Sequence, residues 1–255
     1  MTKLISIIIA TYNSELTLAK CLDSIVTQKC NLVELIIVDG GSVDHTLEVL
    51  KRFENDIDNL VSEPDEGIYD AWNKGIDLAS GKWFMFVGSD DQLRDGCIKG
   101  YKAQIFEDGD YDFISGRIML VNNVGDDLRE FGQPYNWERF KKNMNLAHVS
   151  SLHNRSLYER YGNYSSGYKI CGDYELLLRP RHNLKVKFVD QLFANMAIGG
   201  ISFGSQEALR EARDIKLLHK VDRPLVIWVV YMLSVVKLSI NKTIFRRKFM
   251  GVSGL

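Results

Sequence analysis

Asp90 and Asp91 stand side by side at the end of an apolar run, Trp83 to Val87, directly after the small residues Gly88 and Ser89. Adjacent carboxylates on a short turn present hard oxygen ligands, which suit a divalent cation that also grips a diphosphate. On its own, such a pair is more often an ordinary turn or a helix cap. The elements around it decide between these readings.

The first hundred residues alternate strand and helix signals. Leu4-Ile5-Ser6-Ile7-Ile8-Ile9 is almost entirely apolar, as a strand covered on both faces is, and implies a parallel sheet. Ser14 is placed to cap a helix whose apolar positions Leu18, Cys21, Leu22 and Ile25 recur at three- and four-residue intervals. A second strand, Val33 to Val38, runs into Asp39-Gly40-Gly41-Ser42, and a short helix over Thr46 to Phe53 and a strand near Asn59 to Ser62 follow. The turn-rich segment Ser62 to Gly67 then opens a helix with Ile68, Ala71, Trp72, Gly75, Ile76 and Ala79 on one stripe. Asp70, Asn73, Lys74 and Asp77 lie on the other. In an open α/β sheet, ligands bind beyond the carboxyl ends of the strands, and there Thr11-Tyr12, Asp39 and Asp90-Asp91 converge.

Between about Gly100 and Val221 the signals are mixed, with strands over Asp112 to Leu120 and Val186 to Val189 and helices near Ser156 to Tyr161 and Tyr174 to Arg179. No repeat or low-complexity linker sets this stretch apart. It reads as a second lobe, 101–221, packed on a first lobe, 1–100, and followed by a segment 222–255. From Arg223 onward there is no acidic residue; Leu225 to Val236 is strongly apolar, with Lys237, Lys242, Arg246, Arg247 and Lys248 behind it. That run falls short of the ~20 apolar residues a spanning helix needs. It reads as a helix lying on an anionic membrane surface, in preference to one buried against this protein's own core or in a homodimer.

At 255 residues the chain can bury a large core unaided, and a formal charge of −1 gives no reason to expect a nucleic-acid partner. Cys21, Cys30, Cys97 and Cys171 are scattered without zinc-site or redox spacing, which fits reduced thiols in the cytosol. The histidines outside His148 form no spaced metal cluster. Leu4 to Ala10 is too short for an export signal and runs straight into polar residues, so the expected location is cytoplasmic, peripheral on the inner face of the cell membrane if the tail binds lipid.

Five pieces in this order and spacing resemble the family-2 glycosyltransferases of the GT-A fold: Ser6 to Asn13, Ile36 to Thr46, Glu63 to Gly81, Ser89-Asp90-Asp91 and, more loosely, His148 to Arg179. Among that family they are most similar to bacterial enzymes that assemble O-antigen, capsule and other exported polysaccharides. The resemblance implies an α/β fold with a mostly parallel central sheet flanked by helices, here with a C-terminal helical tail. It implies inverting transfer of a hexosyl or N-acetylhexosaminyl group from a nucleotide-diphosphate sugar, a UDP-sugar being favoured. The acceptor would be a hydroxyl of a saccharide, carried on a polyprenyl diphosphate.

By the same resemblance, Asp91 is expected to ligate Mg²⁺ or Mn²⁺ directly and Asp90 to meet the ribose or a metal-bound water. The cation would stabilise charge developing on the nucleoside diphosphate as the glycosidic bond breaks. Thr11, Tyr12 and Asp39 match positions that hold nucleobase and ribose. Relatives often carry a second Asp after the residue matching Asp39, where this chain has Gly40, so the base itself is left open. Glu66, Asn73 and Lys74 match a donor-side helix segment, although a solvated charged stripe would use the same residues. Asp173 matches the carboxylate that takes the acceptor's proton, at a place where a helix cap would also put an Asp. His148 and Arg179 are expected to line the acceptor site, Arg179 by orienting Asp173 or meeting an acceptor phosphate.

Two other classes compete. A dinucleotide-dependent oxidoreductase shares the alternating pattern, but the first strand is followed by Thr11-Tyr12-Asn13-Ser14 and lacks the Gly-x-Gly-x-x-Gly turn that a pyrophosphate requires there. A noncatalytic nucleotide-sugar-binding protein of the same fold would have no need for Asp90, Asp91 and Asp173 together.

Overall fold

The structure, a computed structural model, describes every residue except Met1, Asp108, Asn123, 200–204 and 251–255, with backbone alone over 241–250. Three apolar strands form its centre, β1 (Ile5–Thr11) and β2 (Val33–Asp39) rich in β-branched residues and β4 (Trp83–Gly88) in aromatic ones, all parallel, with β3 (Asn59–Ser62) outside β2. Alternate residues supply two cores. Ile5, Ile7 and Ile9 face one side with Leu35, Ile37, Met85 and Val87, while Ile8, Ile36, Phe84 and Phe86 face the other. Both faces are therefore covered, as the continuous apolar runs demand.

Helix α1 (Leu18–Val26) buries Leu18, Cys21, Leu22 and Ile25 on the first side, beside α2 (Thr46–Arg52). Helix α3 (Ile68–Leu78) buries Tyr69, Ala71, Trp72, Gly75 and Ile76 on the second. A Cβ at Gly75 would run into the Ile8 side chain, so the missing side chain lets α3 lie directly on β1.

The sheet continues past β4 into antiparallel β8 (Leu152–Asn154), then β6 (Phe113–Val121), β9 (Val186–Ala197) and the two-residue β5 (Gln92–Leu93), with β7 (Asp127–Phe131) on β6. One sheet thus runs without a break across residue 100. Helices α4 (Cys97–Phe106), α5 (Trp137–Phe140), α6 (Arg155–Tyr161), α7 (Gly172–Leu178) and α8 (Gln206–Leu218) flank it, and α9 (Pro224–Met250) packs against α8. No helix among the described residues is long and apolar enough to cross a membrane.

Several local expectations are corrected. Ser14 does not cap α1: its carbonyl accepts from Thr17 and Leu18 in a preceding turn, and its hydroxyl bonds the Tyr12 carbonyl and Ser89. The strand expected over Val186 to Val189 extends to Ala197, eight residues beyond Val189, because pairing with β6 carries it through polar Asp190 and Gln191 across two register shifts. Helix α8 lies where no helix was expected. It fully buries only Ile215 and Lys216, with Ala212 and Leu217 partly buried beside them, and Ser205 caps it by accepting from Ala208 N at 3.0 Å.

Candidate active site

The ends of four strands lie level. Thr11 pairs with Asp39, Asp39 with Ser62, and Ala10 with Gly88. Asp39 is fully buried, yet its carboxylate is satisfied: it accepts from Ser62 Oγ at 2.6 Å, from Ser42 N at 3.1 Å and from Ser42 Oγ. Thr11 is buried, and its Oγ1 has no partner among the described residues. Tyr12 beside it is 61% exposed, an aromatic face open to a ligand. A side chain at Gly40 would meet the Asp65 carboxylate and then the Tyr12 ring. Asp65, which sequence reasoning passed over as a turn residue, therefore brings an acid to the place where the Asp39-Gly40 pair lacks one.

Asp90 and Asp91 occupy different environments. Asp91 is 4% exposed and accepts from Gly88 N at 3.1 Å and Ala197 N at 3.2 Å, tying the turn to the end of β9. Burial, reinforced by Asp90, pushes its carboxyl up to about 8. Asp90 is exposed at the rim of the turn, and partial desolvation raises its carboxyl as well. Ser89 Oγ lies 2.8 Å from Ser14 Oγ, which fastens this turn to the loop after β1.

The turn offers a cation two carboxylates, one exposed and one buried. No group of three His, Cys, Asp or Glu among the described residues converges on one point. An open carboxylate with few protein partners is how Mg²⁺ is commonly held when substrate phosphates and water complete its shell.

Asp173 is the second residue of α7, with Cys171 at the cap position, so the helix-cap explanation fails. Its Oδ1 lies 3.2 Å from the Tyr69 hydroxyl on α3. Nearby, a buried chain links His153 Nδ1 to Tyr158 OH (3.0 Å), Tyr158 to Tyr164 OH (2.9 Å) and Tyr164 OH to His148 Nε2 (3.1 Å). The His148 ring stacks on Trp72 at 5.0 Å. Burial pushes the His148 imidazole below its ordinary range, while the charge of Asp173 pulls the other way.

Other expected site residues are occupied within the fold. Asn73 spends its amide on the backbone of Tyr164. Lys74 donates to Pro64 O at 3.0 Å and pairs with Glu63 at 2.8 Å and Asp70, which holds the 63–66 loop and raises its ammonium pKa. Arg179 pairs with Glu175 through Nε and Nη2 and donates Nη1 to the carbonyls of Tyr161, Gly162 and Asn163. It shapes a loop and has little left for an acceptor or for Asp173. Glu66 is exposed and its backbone amide donates to Asp70.

The model of Glycosyl transferase family 2 matches residues 6–166, and this chain belongs to that family. A PGL/p-HBAD biosynthesis glycosyltransferase of Mycobacterium bovis is 33% identical over 204 residues, 77% of this chain and 78% of that one. The chondroitin synthase of Pasteurella multocida is 26% identical over 203 residues, covering 21% of its own length. Among solved structures, S. aureus TarS 1–349 in complex with UDP-GlcNAc superposes with a TM-score of 0.70 at 18% identity, over 91% of this chain and 71% of that one. The mannosyltransferase PcManGT from Pyrobaculum calidifontis, in complex with GDP-Man and Mn²⁺, gives 0.67 at 13% identity over 100% of this chain and 77% of its own. The α/β architecture is that of the GT-A transferases.

Proposed function

We propose that this family-2 glycosyltransferase moves a hexose or N-acetylhexosamine, with inversion, from a nucleoside-diphosphate sugar to a saccharide hydroxyl. A UDP-sugar is the favoured donor. The observation that carries this reading is the convergence of Thr11, Asp39 and the Asp90 turn at level strand ends, with a separate carboxylate, Asp173, held off the sheet by α3.

In this reading residues 1–100 hold the donor and 101–221 the acceptor and the base. Tyr12 stacks on the nucleobase, and Asp39 and Asp65 border it. The exposure of Asp90 makes it the direct ligand of Mg²⁺ or Mn²⁺, with Asp91 bracing the turn from beneath, the reverse of the order expected from the sequence. When bound, the cation supplies Lewis-acid stabilisation of the departing diphosphate. Asp173 accepts the proton of the attacking hydroxyl as the oxygen bonds to the anomeric carbon and the nucleoside diphosphate leaves from the opposite face. His148, held neutral by burial, lines the acceptor pocket. Glu66 stands exposed on the donor-side loop before α3, while Asn73, Lys74 and Arg179 position loops.

The acceptor in this proposal is lipid-linked, a polyprenyl-diphosphate saccharide in cell-surface polysaccharide assembly at the inner membrane face. Support comes from α9, whose exposed side includes Leu225, Val229, Met232, Leu233, Val236 and Ile240, one stripe at helical spacing. Arg213 of α8 lies over Trp228 and Tyr231 at 4.6 and 4.7 Å, fixing the helix with that stripe outward. The basic residues that follow complement anionic headgroups; those from Lys242 on have side chains outside the described residues.

The deciding experiment is donor turnover. Wild-type protein with Mn²⁺ should hydrolyse or transfer from a sugar nucleotide, and Asp90→Ala should abolish this while Asp173→Asn keeps donor binding and loses transfer. A chain that turns over no member of a panel of UDP-, GDP- and TDP-sugars is not the enzyme described.

A further inference from the structure

We propose that Tyr69 is the positioning residue for Asp173, its hydroxyl swinging between two acceptors as that carboxylate gains and loses the acceptor's proton. This rests on the reading of Asp173 as the base.

The Tyr69 oxygen lies 2.7 Å from the Ile170 carbonyl and 3.2 Å from Asp173 Oδ1. A phenol has one hydrogen and cannot satisfy both acceptors fully at once, but its oxygen can also accept. With Asp173 ionised, the carboxylate only accepts, and the phenolic hydrogen turns toward it. After Asp173 has taken the proton from the sugar hydroxyl, it becomes a donor. Tyr69 then receives that hydrogen on its lone pair and turns its own toward Ile170. No atom is gained or lost at Tyr69, and each protonation state of Asp173 keeps a partner.

Three features make the rotor stiff everywhere except at the hydroxyl. The ring is buried between Trp72 and Tyr164, each 5.4 Å away. A Cβ at Gly172 would come within 2.9 Å of it, so the glycine admits the ring against the first turn of α7. The Ile170 end is locked from α8: Glu211 accepts from the backbone amides of Lys169 and Ile170, both at 2.8 Å, and of Cys171. Burial, followed by the charge of Asp173, also drives the Tyr69 phenol well above its usual range. It stays a neutral hydroxyl and cannot itself act as the base.

Tyr69→Phe removes one oxygen and keeps the ring. The test uses Mn²⁺ and whichever donor of the UDP-, GDP- and TDP-sugar panel wild type hydrolyses fastest, water standing in for the acceptor at Asp173. The variant should lose about tenfold in kcat with donor KM and nucleotide Kd unchanged, a loss confined to the step in which the proton moves. An unchanged kcat, or a loss matched by weaker nucleotide binding, overturns the role of Tyr69. Asp173→Asn is measured beside it: normal turnover there overturns the base reading itself, whereas an inactive Asp173→Asn with a fully active Tyr69→Phe overturns only this inference.

Discussion

Asn73 and Tyr164 hold one another through a single amide: Asn73 Nδ2 donates to Tyr164 O at 2.8 Å, and Tyr164 N donates to Asn73 Oδ1 at 3.0 Å. The pair fastens α3 to the loop that leads toward α7, much as two strands fasten to each other. Asn73→Ala should therefore lower stability by about 1–3 kcal/mol, because it strands a part-buried amide and carbonyl together. Urea unfolding measures this. Nucleotide affinity should stay within about twofold; a large rise in nucleotide Kd at unchanged stability would return Asn73 to the donor site.

The two neighbouring acids should separate cleanly. Asp90→Ala is expected to keep its melting temperature and lose Mn²⁺-dependent donor binding. Asp91→Asn should do the reverse in stability, losing about 1–3 kcal/mol as an amide NH₂ meets one of two backbone donors. Calorimetric titration and thermal melts on both variants give the comparison, and a destabilised Asp90→Ala would contradict the assignment.

Acidification gives a third expectation. His153 is fully buried, and burial, aided by His148, holds its imidazole well below the ordinary range. A depressed folded value means that the contribution is intact above the unfolded value near 6.5 and is lost as pH falls toward the folded one, because only the unfolded chain takes up the proton. Stability should fall by about 1.4 kcal/mol per pH unit below about pH 6 from this group alone, with His148 adding in the same direction. Denaturant midpoints between about pH 7 and 5 should show a shallower slope in His153→Gln.

Leu233→Glu with Val236→Glu places two carboxylates on the outward stripe of α9. Sedimentation with phosphatidylglycerol vesicles should lose the double variant and retain wild type, with nucleotide binding equal in both. If wild type ignores vesicles and the substitutions instead break a dimer in ultracentrifugation, the stripe is a self-association surface.

The parallel centre of the fold was readable because β1, β2 and β4 are buried on both faces and so written in continuous apolar letters. The convergence of Thr11, Asp39 and the Asp90 turn followed from that alone. The rest of the sheet was harder: β8 has three residues, β5 two, and β9 carries Lys187, Asp190 and Gln191, so their pairing comes from neighbours remote in sequence. Residue type could nominate Asn73, Lys74 and Arg179 but could not reveal that their donors were already taken by Tyr164, Pro64 and the 161–163 carbonyls. Nor could it tell which of two adjacent aspartates faces outward, since that depends on the Ala197 amide more than a hundred positions away.

The bond from Ala197 to Asp91 braces the acid turn from the end of β9, and Glu211 of α8 grips the segment before Asp173 in the same way, through backbone amides. An engineer reshaping the acid turn must therefore keep the end of β9 in place, because Asp91 takes one of its two backbone donors from Ala197.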